Sequence, residues 1–93
     1  MSQQDSFAQI EQHREAIDAI DKQLVALLNE RAGHSLDIRA LKPEAKMGLF
    51  DPKREEEIFT KVCSYNDFFF NDTATTEIYT AILKVMKEVP NRD

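Results

Sequence analysis

Ninety-three residues allow one modest hydrophobic core, so a single domain spanning residues 1–93 is expected. A formal net charge of −5 gives no general pull toward nucleic acid or an anionic membrane, and no apolar run approaches the ~18 residues that suggest a membrane span. The opening MSQQDSF lacks the apolar core of a secretory signal, and the lone Cys63 excludes an intrachain disulfide and reads as a small core residue, so a cytoplasmic protein without metal or cofactor is expected.

Glycine occurs only at positions 33 and 48 and proline only at 43, 52 and 90, which divides the chain into three helical stretches. The first runs from about Ser6 to Lys42. Ile10, Ile17, Ile20, Leu24, Leu27, Leu28, Ile38 and Leu41 recur there at helical spacing and form one apolar stripe. Pro43 stops the helix, because it disfavours helical geometry in the preceding residue and has no N–H to donate. Glu44 to Phe50 then reads as a connecting loop. Asp51 is placed to cap the second helix, with Pro52 at its first position and Glu55, Glu56 and Glu57 near the positive end of its dipole. Ile58, Phe59, Val62 and Cys63 form the apolar face of that helix. After a turn around Asn66 and Asp67, the third helix is expected from about Asp72 to Val89, ending before Pro90. Ile78, Ile82, Val85 and Val89 fall on one face of it, with Tyr79, Leu83 and Met86 beside them. Phe68, Phe69 and Phe70 read as a hydrophobic staple into the core.

Length also bears on assembly. A helix from Ser6 to Lys42 is about 55 Å long at 1.5 Å per residue, whereas a compact monomer of this size is only about 30 Å across. Its apolar stripe continues along the whole length, so the protruding part needs a partner, and a second identical chain is the simplest one. The fold class is therefore all-α, a three-helix protomer with a long first helix in an intertwined homodimer.

Two arginines interrupt that stripe. Arg14 falls between Ile10 and Ile17, and Arg31 follows Leu24 and Leu27 toward Ile38. An unpaired buried guanidinium is costly. Carboxylates such as Asp21 or Glu30 neutralise these cations, or a bound anion does, or the long side chains carry their heads out to water. Lys42 at the end of the first helix suits the helix dipole, and Lys42, Asp51, Arg54 and Glu55 each have a purely structural reading as caps or surface charges. Together, three arginines and a lysine against two carboxylates suit a small dianionic ligand that carries a hydroxyl.

The pattern R-x-x-I-D-x-I-D-x-x-L-x-x-L-L-x-x-R from Arg14 to Arg31, then Lys42, then Asp51-Pro52-Lys53-Arg54-Glu55, resembles the all-helical class of chorismate mutases. The likeness covers Ile10 to Val62 well and the third helix more loosely. It implies a cofactor-free isomerase that converts chorismate to prephenate in two active sites, each built from both chains of a homodimer. By position it gives Arg14 a substrate carboxylate in the partner's site and Arg31 a carboxylate in its own, with Arg54 lining the same pocket. Lys42 would bridge a carboxylate and the ether oxygen whose bond breaks. Glu55 and the Asp51 backbone would bind the ring hydroxyl. Sharing follows also from reach, since Arg14 and Lys42 on one straight helix lie well over 30 Å apart at about 1.5 Å per residue. His13 and His34 need no catalytic role.

The family usually carries a small polar residue and then a glutamine on its last helix. Aligning Ile78 and Tyr79 with that helix sets Met86 and Pro90 at those positions, neither of which has a donor side chain, while Asn91 substitutes only if the helix end shifts. Catalytic impairment would leave a helical dimerisation or ligand-sensing domain, and the same fold also serves isochorismate pyruvate-lyases. Residues Asn71 to Thr80, NDTATTEIYT, are also a translation of a widely used sequencing adapter, AATGATACGGCGACCACCGAGATCTACAC. The family pattern resumes in the following AILKVMKEV.

Overall fold

The computed structural model describes residues 3–44, 51–67 and 70–91, and these contain three helices and no strand. They are α1 (Gln3–Leu41), α2 (Pro52–Ser64) and α3 (Asp72–Glu88). The all-α expectation holds. The chain divides into two compact units, Met1–Gly33 and His34–Asp93. None of the helices described is long and apolar enough to cross a membrane.

α1 begins ahead of the expected Ser6, since Gln3 and Gln4 are good helix formers and Asp5 falls in the first turn, where the dipole favours an anion. At the other end the Lys42 N–H still reaches the Ile38 carbonyl at 2.9 Å, but Lys42 lies outside the helix. Pro43 is the cause, as expected. No residue of α1 is buried. In the first unit Ile10, Ile17, Ile20, Leu24 and Leu27 remain 46–60% exposed, so its stripe is formed but uncovered within the chain.

The second unit has its own core. Asp51 caps α2 through its side chain, which accepts the Arg54 N–H at 3.0 Å, and Pro52 follows at the first turn. The helix closes in a tighter turn, with the Tyr65 N–H on the Val62 carbonyl at 3.1 Å and the Asn66 N–H on the Cys63 carbonyl at 3.2 Å. Asn71 caps α3 by accepting the Ala74 N–H at 2.8 Å. Val89 is extended, with φ −62° and ψ 126°, as a residue before proline should be.

Between α2 and α3 lie Val62, Leu83 and Met86, with Thr75 beside them as the one buried polar residue among those described. Each apolar member contributes about 1.5–3 kcal/mol when fully buried. The Thr75 hydroxyl donates to Asn66 Oδ1, and Asn66 Nδ2 donates to Asp72 Oδ1 at 2.8 Å, so the turn is tied to the core without an unsatisfied group.

One choice that spacing left open is settled here, and one sequence expectation is corrected. α3 carries two overlapping apolar stripes, and the one turned inward runs through Thr75, Leu83 and Met86, leaving Ile78 and Val85 at 43% and 55% exposure. The contact with α2 selects between the two stripes that spacing allows. Phe70 is not a core staple but is 53% exposed. Phe68 and Phe69 lie outside the described residues.

Candidate active site

Two of the nominated residues belong to the first unit. Arg14 is exposed and pairs with Glu11, Nη1 to Oε1 at 2.8 Å, rather than with Asp21 or Glu30. Such a pair one turn away on an open helix face contributes at most about 1 kcal/mol, so it does not commit the guanidinium. Arg31 is half-buried and lies near the end of this unit.

The other four lie in the second unit. Lys42 is half-buried in the turn that follows α1. Asp51, Arg54 and Glu55 share the first turn of α2, where the Asp51 carbonyl accepts the Glu55 N–H at 3.2 Å. The cap thus brings a guanidinium, a carboxylate and backbone groups together at the positive end of a helix dipole. Arg54 is exposed and stands 3.6 Å from Glu57, too loose to fix it. Glu55 is half-buried, and the Lys87 ammonium from α3 lies 2.5 Å from its Oε1.

Sequence reasoning missed Arg39. Its guanidinium spans the end of α3, with Nη1 donating to the Val89 carbonyl at 2.7 Å and to Asn91 Oδ1 at 2.9 Å, and Nη2 to the Met86 carbonyl at 3.0 Å. Helix C-termini leave carbonyls without partners, and a glycine after the last turn often satisfies them. α3 ends in Val89-Pro90 instead, so a donor from elsewhere was needed. That missing glycine was the available signal. The planar fork of arginine suits several carbonyls at once.

The two positions aligned from sequence with the polar pair, Met86 and Pro90, lie at the end of α3. Met86 is 8% exposed and belongs to the core, and Pro90 lies past the helix. Lys87 and Asn91 are the residues that reach Glu55 and Arg39. With its carbonyl oxygen on Arg39, Asn91 offers an amide N–H, a donor that Pro90 lacks.

A cleft of about 430 Å³ opens at the opposite end of the α2–α3 pair, lined by Val62, Tyr65, Phe70, Ile78 and Tyr79 among others. None of the nominated residues lines it. A cleft of this size fits a small ligand, but Arg54 and Glu55 stand in the first turn of α2, at the other end of the pair. Among the described residues, no three histidine, cysteine or acidic side chains are grouped to hold a metal.

The chain matches the sequence profile described as chorismate mutase type II over residues 13–91. Its fold is similar to the chorismate mutase of Thermus thermophilus. Form II of that protein is 27% identical, with a TM-score of 0.82 over 87% of this chain and 92% of the other. Form I is 28% identical, with a TM-score of 0.80 over 84% and 98%. A bifunctional chorismate mutase/prephenate dehydratase of Aquifex aeolicus (strain VF5) is 31% identical over 81 residues, 87% of this chain and 22% of that protein. Its namesake from Neisseria gonorrhoeae (strain ATCC 700825 / FA 1090) is 31% identical over 71 residues, 76% of this chain and 19% of that one. The chain therefore spans about a fifth of the length of these two relatives.

Proposed function

Because this chain belongs to the chorismate mutase type II family, we propose that it converts chorismate to prephenate as a cytoplasmic homodimer, residues 1–93 acting as one domain. The reaction breaks an ether C–O bond and forms a C–C bond in one concerted step. No proton moves, so no nucleophile, acid or metal is required. The protein's share is to hold the compact conformer and to place positive charge at the ether oxygen as its bond lengthens.

The observation that carries this reading is the first turn of α2, where the Asp51 cap sets Arg54 and Glu55 together as the D-x-x-R-E motif demands. In the proposed site Glu55 and the Asp51 backbone hold the ring hydroxyl, and Arg54 lines the pocket. Lys42 bridges a carboxylate and the ether oxygen. Arg31 holds a carboxylate in its own chain, and Arg14 reaches into the partner's site. Met86 and Pro90 carry no donor side chain, and Asn91 is the stand-in at the end of α3. The dimer rests on the uncovered stripe of α1, where Leu24 and Leu27 are 52% and 60% exposed.

Steady-state conversion of chorismate tests the activity, beside calorimetric binding and an assay for pyruvate release from isochorismate. Formation of prephenate is expected. Binding without turnover, or pyruvate release in its place, would overturn the reading. Lys42→Ala should lower turnover about a hundredfold to a thousandfold, the usual loss for one donor aimed at developing charge. Its structural share at a helix end is only about 0.3–1 kcal/mol, so the fold should persist. Mixed Arg14→Ala and Lys42→Ala chains should recover activity through heterodimers with one intact site. No recovery after proven subunit exchange would refute a shared site.

A further inference from the structure

We propose that Lys87 is a positioning residue for Glu55, fixing its carboxylate in the orientation that receives the hydroxyl of the substrate; this rests on the mutase reading above. The ion pair joins the first turn of α2 to the last turn of α3, with Nζ 2.5 Å from Oε1. It differs from the one-turn pairs Arg14–Glu11 and Arg54–Glu57, whose four side chains are all at least half exposed. Glu55 is only 28% exposed, so screening by water is weaker and the bond to Lys87 has more hold on its direction.

The turn that bears Lys87 is itself fastened. Arg39 donates to the carbonyls of Met86 and Val89 on either side of it. A lysine at the C-terminal end of a helix is in addition favoured by the dipole. On the other side, the Asp51 cap fixes the turn that bears Glu55. Both ends of the ion pair therefore stand on anchored backbone, which is what precise aiming of a side chain requires. A carboxylate only accepts hydrogen bonds, and it has two oxygens for the purpose. With Oε1 directed to Lys87, Oε2 is the oxygen assigned to the hydroxyl. Removing the lysine disturbs the direction of the carboxylate.

A plain structural tie between α2 and α3 would have different consequences. It would affect every substrate alike and would follow thermal stability. Aiming of Glu55 affects only the part of catalysis that depends on the hydroxyl. The test compares wild type, Lys87→Ala and Lys87→Arg on chorismate and on the analogue in which hydrogen replaces the ring hydroxyl, with circular dichroism melts of each. Loss of alignment in a reacting complex costs up to about a hundredfold, so kcat/KM of Lys87→Ala on chorismate should fall about tenfold to a hundredfold. Lys87→Arg should restore most of it. On the deoxy analogue wild type and Lys87→Ala should match within about twofold. Equal losses on both substrates, or no loss on either, overturn the proposal. Failure of wild type to convert chorismate would instead strike the mutase reading, and that arm does not involve Lys87.

Discussion

The two units of this chain answer the same physical demand in different ways. In His34–Asp93, the apolar faces of α2 and α3 cover one another around Val62, Leu83 and Met86. In Met1–Gly33, the apolar stripe of α1 buries none of its residues within the chain. Periodicity therefore reports that a helix face needs cover, and does not report which molecule supplies it. Helices draw most of their stability from such cover, so the first unit should be the one whose stability depends on chain concentration.

The largest expected effect separates the units directly. Leu24→Asp sets a carboxylate in the proposed seam of each chain, and an unpaired charge buried there costs several kcal/mol. Light scattering should then show no dimer at micromolar concentration. Leu83→Ala lies in the core of the second unit and should destabilise by about 2–5 kcal/mol while subunit association persists. A Leu24→Asp chain that still dimerises would place the interface elsewhere, and the shared site would fall with it.

A smaller effect concerns the fastening of α3. Hydrogen bonds from a charged donor contribute about 1.5–3 kcal/mol, and the several made by Arg39 act as one unit, so Arg39→Ala should cost about that much in urea unfolding. Arg39→Lys should restore only part, because an ammonium lacks the planar fork that spans the Met86 and Val89 carbonyls. Amide exchange at Val89, whose N–H bonds the Val85 carbonyl at 3.1 Å, should quicken in the alanine variant. Unchanged exchange would show that the last turn holds without Arg39.

What was legible in the sequence follows from the kind of contact involved. Pro43 and Asp51-Pro52 act on the neighbouring backbone, so the end of α1 and the start of α2 could be read directly. The motif residues Asp51, Arg54 and Glu55 lie in one turn, and their placement needed only that cap. Which stripe of α3 turned inward depended on a contact with α2, and two stripes fitted the spacing equally well. Arg39 meets the backbone carbonyls of Met86 and Val89 from far along the chain, and the missing glycine after α3 signalled only that a donor was needed. Lys87 and Glu55 meet across two helices, far beyond any local pattern. The string from Asn71 to Thr80 forms helix because Asn71 caps it and its composition permits one. Three residues of that string, Thr75, Ile78 and Tyr79, line the cleft at that end.

The smallest effect probes the face of α1 away from the seam. Gly33 is helical, and a Cβ built on it would meet no heavy atom within 4 Å beyond its chain neighbours and the adjoining backbone of its own helix. It lies nine residues beyond Leu24, about two and a half turns at ~3.6 residues per turn, and so faces away from the stripe that carries Ile17 and Leu24. No close approach of a partner's helix is expected on that side. A glycine inside a helix costs about 0.5–1 kcal/mol relative to alanine, chiefly through the freedom it loses on folding. Gly33→Ala should therefore stabilise the protein by about that amount in urea unfolding followed by circular dichroism, at every chain concentration tested. A loss of stability would mean that another backbone passes close to Gly33. The partner would then lie on this face of α1 rather than along Ile17 and Leu24, and the assigned seam would be wrong even if the protein is a dimer.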